Sequence, residues 1–140
     1  MKLFRILIIG AALLPAPLAS SGWAEDAPAA VGAGDPAAGE KVFVKCRACH
    51  QIGETARNSI GPELNGVIGR HSGTVAGYNY SDANKNSGLT WDEATFRDYI
   101  KSPKAKVPGT KMTFAGLTHD KEIDDLLAFL KQYGPDGKKK

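Results

Sequence analysis

The amino-acid sequence predicts a small all-α domain, because apolar residues recur at helical spacing, helix-capping residues precede them, and no alternating strand pattern is present. The 140 residues suffice for one domain rather than two. The composition is that of an ordinary globular protein, with 42% hydrophobic residues and 18 basic against 15 acidic side chains. It is neither disordered by composition nor charged enough to indicate nucleic acid as a partner.

The first 24 residues have the layout of a secretory signal peptide. Two basic residues precede an apolar run over 6–14, and small residues surround an expected cleavage site after Ala24. An uncleaved membrane anchor is the alternative interpretation, but the strongly apolar run is short and two prolines follow it. We therefore expect an exported protein that loses a signal peptide, residues 1–24, and begins with a flexible leader over 25–34.

Helical patterns follow the leader at four places. They begin near Asp35, Ser81, Thr90 and Thr118. The first opens with an aspartate N-cap followed by proline, and the third opens with the capping box Thr90-x-x-Glu93. The last carries apolar residues at i, i+3, i+4 and i+7 and ends at a Gly-Pro pair. These helices define one domain over 35–134, followed by a basic tail over 135–140, of which we expect the last three lysines, 138–140, to be disordered.

Two long loops, over 51–80 and 102–117, separate the helices. Loops of this length are unusual in a compact domain unless they wrap something. The apolar content is modest for the size of the chain, and small domains often need a disulfide, a bound metal or another additional group to be stable. The sequence therefore predicts a bulky apolar group that is not polypeptide.

The segment Cys46-Arg-Ala-Cys49-His50 indicates what that group is. In a C-x-x-C-H motif the two thiols can add to the vinyl groups of a haem, and the histidine can ligate its iron. A thioredoxin-like dithiol is one alternative, but it belongs in a βαβ setting and no strand pattern flanks this motif. A zinc site is another, but it needs more ligands, and His71 and His119 are isolated in the sequence. The motif favours one covalently attached haem c.

Met112 is the expected second ligand of the iron. Methionine is the usual thioether donor in c-type sites, and Met1 leaves with the signal peptide. Met112 lies in a loop bounded by proline and glycine, not on the apolar helix stripe where a core methionine would be expected. Two protein ligands indicate an electron carrier. An open distal side would indicate a haem peroxidase or a gas-binding protein, which stays the alternative.

Further motifs run collinearly from Gly34 to about Gly134. They are Gly39-x-x-x-Phe43, Cys46–His50, Gly61-Pro62-x-Leu64-Asn-Gly66, Gly69-Arg70, Tyr80–Lys85, Trp91, Pro108–Gly116 and Leu126-x-x-Phe129-Leu130. With these motifs the chain resembles the class I c-type cytochromes, close to mitochondrial cytochrome c and the bacterial cytochrome c2 group. The resemblance implies a small all-α fold of about four to five helices, with long loops wrapped around one haem bound through Cys46 and Cys49. It also implies an electron-transfer protein and not an enzyme.

The resemblance assigns roles to polar residues around the haem. His50 would hold its orientation by donating from its second ring nitrogen to the Pro62 carbonyl. The residues implied at the haem propionates are Arg70, Tyr80 and Trp91. Those implied near the methionine sulfur are Asn84, Tyr99 and Thr110, and Tyr99 would donate to the sulfur and tune the reduction potential.

Basic residues near the expected haem edge suggest a docking face for redox partners. They are Lys45, Arg47, Lys104, Lys106 and Lys111. In the family's layout the acidic residues at the start of the last helix lie away from that edge, so the chain would steer to an acidic surface. The implied donor is a quinol-oxidising cytochrome complex. The implied acceptor is a photosynthetic reaction centre or a terminal oxidase, and a periplasmic dehydrogenase could replace either. We expect a monomeric, periplasmic carrier.

Overall fold

The computed structural model describes residues 33–140, so the expected signal peptide and most of the expected leader lie outside the described residues. Its five helices are α1 (Pro36–Phe43), α2 (Asp82–Lys85), α3 (Glu93–Lys101), α4 (Pro103–Lys106) and α5 (Asp120–Lys131). Strand pairing over 33–140 is limited to two isolated antiparallel bridges. The predicted all-α class, with four to five helices, is confirmed. Over the same residues no helix is both long and apolar enough to cross a bilayer.

The first and last helices cross each other at Gly39. A Cβ atom added at Gly39 would lie 1.9 Å from the carbonyl oxygen of Asp125, so only a residue without a side chain permits this approach. The rings of Phe43 and Phe129 meet beside the crossing, with centroids 5.2 Å apart. The backbone N–H of Asp35, the N-cap of α1, donates to the Asp125 carboxylate at 2.7 Å. The two ends of the domain are thereby joined.

The start of α3 differs from the sequence prediction. Its N-cap is Asp92, whose carboxylate accepts a hydrogen bond from the Thr95 N–H at 2.7 Å. Thr90, the expected cap, is instead held in extended conformation by an antiparallel bridge to His71, and its hydroxyl lies 2.9 Å from His71 Nδ1. The helix therefore begins only after this bridged residue.

Residues 33–140 contain one helix more than the four helical patterns in the sequence. Pro103 follows α3 and opens the short helix α4, because its fixed φ suits a first helical position. The last helix, α5, has His119 as its N-cap, one residue later than the expected start at Thr118, and the His119 side chain makes no capping hydrogen bond.

The basic tail is ordered, contrary to the expectation of disorder over 138–140. Lys140 N donates to the Gln132 carbonyl at 2.8 Å, and Gly134 N donates to the Lys138 carbonyl at 2.9 Å. Gly137 lies directly against the backbone of Gly53, where an added Cβ would come within 2.4 Å of the Gly53 oxygen. The backbone hydrogen bonds of the tail, which composition does not reveal, hold it to the domain.

Candidate haem site

The long loops and four of the helices (α1, α2, α3 and α5) surround one cleft. Its lining includes every residue that the sequence and the resemblance associate with the haem: Cys46, Cys49, His50, Pro62, Arg70, Tyr80, Asn84, Trp91, Tyr99, Thr110 and Met112. Apolar side chains complete the lining, among them Phe43, Leu64, Val67, Phe96, Ile100, Leu126 and Leu130. The cleft therefore has apolar walls with a few polar groups, as suits a large flat apolar cofactor.

The two cysteines lie in turns that directly follow α1. Cys49 N and His50 N both donate to the Cys46 carbonyl, at 3.0 and 2.9 Å, so the motif folds back on itself at the cleft wall. Both thiols are free and half-buried. Burial, and then the neighbouring Cys49 thiol, raise the pKa of Cys46 to about 11.

His50 is fixed by the loop below it. Its Nδ1 lies 2.7 Å from the Pro62 carbonyl oxygen, which can only accept a hydrogen bond, so Nδ1 carries the proton and Nε2 keeps its lone pair. The ring also rests on Gly61, where an added Cβ would approach His50 Cε1 to 2.3 Å. Burial lowers the pKa of His50, which favours the neutral imidazole that a metal requires.

The sulfur of Met112 receives a hydrogen bond from the Tyr99 hydroxyl at 3.0 Å. The oxygen of the Asn84 amide accepts from the hydroxyls of Thr110 and Ser81, at 2.8 and 2.9 Å. Thr110 in turn accepts from the Met112 N–H at 3.2 Å. The structure thus brings together the predicted polar residues near the sulfur, and burial raises the pKa of the Tyr99 phenol.

Arg70 carries a buried donor with no partner. Its terminal nitrogens bind Glu63 and the Asn65 carbonyl, with Nη1 3.0 Å from a Glu63 carboxylate oxygen. Its Nε is buried and makes no hydrogen bond to any other residue of the described range 33–140. Such a donor is costly inside a protein unless an acceptor occupies the adjoining space. Because Arg70 lines the cleft, a propionate carboxylate would satisfy this donor, and the residues present fit a haem.

Known proteins resemble this chain over the same region. The family model described as Cytochrome c matches residues 36–134. The chain belongs to the cytochrome c family. A cytochrome c2 from Rhodoplanes tepidamans is 65% identical over 106 residues, 76% of this chain and 99% of that protein. A cytochrome c-550 from Nitrobacter winogradskyi is 62% identical over 107 residues, 76% of this chain and 98% of that protein.

Two solved structures of cytochromes c also resemble this chain. Cytochrome cH from Methylobacterium extorquens has a TM-score of 0.67 and 50% sequence identity, over 71% of this chain and 99% of that one. Cytochrome c2 from Rhodospirillum centenum has a TM-score of 0.69 and 40% identity, over 73% of this chain and all of that one. The chain is therefore a class I c-type cytochrome of the c2 group and an electron carrier, not an enzyme. It carries one haem c, covalently bound through Cys46 and Cys49. The thioredoxin-like and zinc interpretations of the motif are wrong.

The basic residues expected at the docking face are less free than the sequence suggested. Lys45 pairs with Glu122 at 2.7 Å, Arg47 with Glu40 at 3.4 Å and Lys106 with Asp98 at 3.1 Å. Because Lys45 lines the cleft and Glu122 belongs to α5, the expected separation of the acidic residues from the basic ones does not hold there.

Two other residues of the expected docking face, Lys104 and Lys111, are not in ion pairs among the described residues. Lys111 lines the cleft and donates to the Asn79 carbonyl at 3.1 Å, and neither it nor Lys104 has a carboxylate partner within residues 33–140. Their positive charge is therefore not neutralised by a close ion pair.

Two residues of the cleft were not predicted. Ser81 caps α2 with its hydroxyl and also donates to Asn84. Tyr78 lines the cleft, and its ring packs edge-on against Tyr80, with centroids 4.7 Å apart. The sequence signal for Tyr78 is the Tyr-Asn-Tyr spacing, since alternate residues of an extended segment share a face.

Proposed function

We propose that the chain is a soluble periplasmic carrier of single electrons in which His50 and Met112 ligate the haem iron from opposite sides. The observation that carries this proposal is the separate anchoring of the two ligands at one cleft: His50 by the Pro62 carbonyl and Met112 by the Tyr99 hydroxyl. The haem supplies an iron that gains and loses one electron. The protein's part is to hold both ligands still.

The anchoring of both ligands favours fast exchange of electrons. His50 is held by a hydrogen bond and by contact with Gly61, and Met112 is held through its sulfur and through its backbone N–H. A site whose groups are already in place needs little rearrangement when its charge changes. With His50 and Met112 both bound to it, the iron would have no ligand position open for a substrate, as an electron carrier requires.

Arg70, Tyr80 and Trp91 would bind the haem propionates. The unpartnered Arg70 Nε supports this role, and the Tyr80 hydroxyl is held only by a long contact of 3.4 Å to Val75 N. Trp91 is buried at the cleft wall against Tyr99, with ring centroids 4.7 Å apart. Propionates are charged groups at an apolar pocket, so donors of this kind offset their cost of burial.

Export and partner choice rest on the sequence. The signal-peptide layout of residues 1–24, with cleavage after Ala24, favours a periplasmic location. An electron carrier there would take electrons from a quinol-oxidising cytochrome complex and pass them to a photosynthetic reaction centre or a terminal oxidase, or exchange them with a periplasmic dehydrogenase. Lys104 and Lys111, with Lys45, Arg47 and Lys106 in ion pairs beside them, would form the transient docking face for acidic surfaces on these complexes.

The visible spectrum of the purified mature protein tests the ligation. We expect sharp bands in the reduced form and, in the oxidised form, the weak far-red band of a methionine sulfur bound to ferric iron. Met112→Ala should abolish that band, whereas His71→Ala and His119→Ala, which change exposed histidines, should leave it intact.

Two other outcomes would refute the proposal. Haem bands without the far-red band, together with a reduced spectrum that carbon monoxide shifts, would indicate an open distal side and a gas-binding protein. A mature protein without haem bands would exclude both functions.

A further inference from the structure

Tyr78 joins two loops that both line the haem cleft. Its hydroxyl donates to the Ile60 carbonyl at 2.7 Å, across eighteen positions of sequence. We call residues 58–63 the proline loop and residues 74–80 the tyrosine loop. Tyr78 also packs against Tyr80, so its ring has a fixed place in the tyrosine loop.

A second tie joins the same two loops. The Asn58 side-chain amide donates to the Ala76 carbonyl at 2.9 Å, and its oxygen accepts from the Glu63 N–H at 3.1 Å. Both ties attach just before the Gly61-Pro62 pair, at Ile60 and Asn58, and the hydrogen bond from Glu63 N–H to Asn58 closes the loop around that pair. The proline loop is therefore fastened by polar contacts to its neighbour.

The polypeptide itself packs little against the first half of the proline loop, residues 58–60, of which Ile60 lines the cleft. Residues 58, 59 and 60 are all exposed, and the Ile60 side chain is 74% exposed. An apolar side chain in that position makes few of the contacts that normally fix a loop. The hydrogen bond from Tyr78 to the Ile60 carbonyl is thus a principal restraint on this part of the backbone.

The restrained backbone leads directly to the histidine. Ile60 precedes Gly61, whose N–H donates to the Cys49 carbonyl at 2.8 Å and whose Cα faces the His50 ring. The next residue, Pro62, accepts the hydrogen bond from His50 Nδ1. A shift of this segment would lengthen that bond and turn the imidazole.

We propose that Tyr78 is a positioning residue: through the Ile60 carbonyl it holds the Pro62 carbonyl on His50 Nδ1, and so sets how strongly His50 donates electrons to the iron. A strong Nδ1–H···O bond makes the imidazole a better donor and favours the oxidised metal. This role rests on the proposed ligation by His50. Loss of the Tyr78–Ile60 hydrogen bond therefore weakens the hydrogen bond from His50 Nδ1 to the Pro62 carbonyl and raises the reduction potential.

The test compares Tyr78→Phe with Tyr133→Phe in the haem-loaded protein. Both variants remove one phenol oxygen, but Tyr133 packs on Phe129, and its hydroxyl makes no hydrogen bond within residues 33–140. The readouts are solvent exchange of the His50 Nδ1 proton by NMR of the reduced protein, the midpoint potential, and global unfolding in guanidinium chloride. We expect about five-fold faster exchange in Tyr78→Phe, as the loss of one net hydrogen bond allows. We also expect a higher potential and an unfolding midpoint that falls, relative to Tyr133→Phe, by no more than the loss of one net hydrogen bond explains.

Asn58→Ala provides a second perturbation of the same loop and should change exchange and potential in the same direction. If Tyr78→Phe matches Tyr133→Phe in both quantities, the positioning role is wrong. It is equally wrong if Tyr78→Phe lowers only the unfolding midpoint. The wild-type spectrum separates these failures from failure of the ligation: a bound His50 has ring protons strongly shifted by the haem ring current, and their absence would refute the ligation itself.

Discussion

The hydrogen bond from Tyr99 to the Met112 sulfur allows a quantitative prediction for the reduction potential. The hydroxyl lies 3.0 Å from Sδ, and Tyr99 is buried, so water has little access to replace the bond when it is lost. A donor at the sulfur withdraws electron density from it and weakens its support of the oxidised iron. Tyr99→Phe removes this donor and leaves the ring, which packs against Trp91. The potential should therefore fall.

The size of the fall follows from the net value of one hydrogen bond. A net 0.5–1.5 kcal/mol is typical, and for a one-electron couple this corresponds to about 20–60 mV. The amide of Asn84 keeps its hydrogen bonds from Ser81 and Thr110, so the rest of the polar group is expected to stay in place. Spectroelectrochemical titration of wild type and variant at one pH and salt concentration measures the difference.

A double-mutant cycle decides whether the effect passes through the sulfur. In a Met112→Ala background, Tyr99→Phe should change the potential by much less than in the wild type, because the acceptor is gone. An equal fall in both backgrounds would show that Tyr99 acts on the haem without Met112. An unchanged potential in the single variant, with the far-red band retained, would refute the reasoning outright.

Three further predictions test the fold and the docking face. Gly39→Ala should lower the unfolding free energy of the holoprotein by about 3 kcal/mol in guanidinium chloride, because α1 and α5 must separate by roughly 1.5 Å to admit the methyl group. The gain in helix propensity, up to ~1 kcal/mol, is smaller than this loss of packing. Ala37→Gly, on the exposed side of α1, measures propensity alone, and a loss below that of this control would contradict the close crossing. Hydrogen bonds from the Thr95 backbone and side chain lower the pKa of Asp92, so the stabilising effect of its carboxylate is present above the unfolded pKa and is lost as pH falls through the lowered value. The difference in unfolding free energy between wild type and Asp92→Ala should therefore be greatest near pH 7 and shrink towards pH 3. A difference that does not change with pH would argue against a charged cap. Lys111→Gln should slow reaction with an acidic redox partner about two-fold at low ionic strength and have no effect near 1 M salt, while Lys140→Gln in the tail should change the rate less at either salt concentration.

The chemistry of the site could be predicted from sequence because its signals are local. The C-x-x-C-H motif sets the positions of two thiols and an imidazole within five residues, and the loop around Met112 marks that residue as unlike a core methionine. The structure brings these residues to one cleft together with all the polar residues that the resemblance had associated with them. Their ligation itself stays a prediction.

The wrong predictions, the start of α3 and the disorder of the tail, were those in which a contact with a residue distant in the sequence overrode a local pattern. Thr90-x-x-Glu93 has the form of a capping box, but Thr90 is engaged in a bridge to His71, and the helix starts after Asp92. The tail is basic and hydrophilic, which normally indicates disorder, yet Gly137 packs on Gly53. Long-range backbone pairing of this kind leaves little mark on composition or periodicity.

Interactions between residues that are distant in the sequence could not be predicted from it either. The Tyr78 hydroxyl reaches Ile60, and Lys45 reaches Glu122, across 18 and 77 positions respectively. Each partner residue is of a common type, so neither pairing has a recognisable spacing. As a result the expected docking face carries less unpaired positive charge than the sequence suggests, because Lys45, Arg47 and Lys106 pair with carboxylates.

The crossing of α1 and α5 sets an order of assembly. The contacts at Gly39 and Asp125 require residues that lie near opposite ends of the chain, and synthesis proceeds from the N-terminus. The cysteines are therefore available while α1 still lacks its partner. Once the fold closes, burial raises the pKa of Cys46 to about 11 and leaves little of the reactive thiolate at neutral pH. The closed fold therefore makes Cys46 a weaker nucleophile than an exposed cysteine.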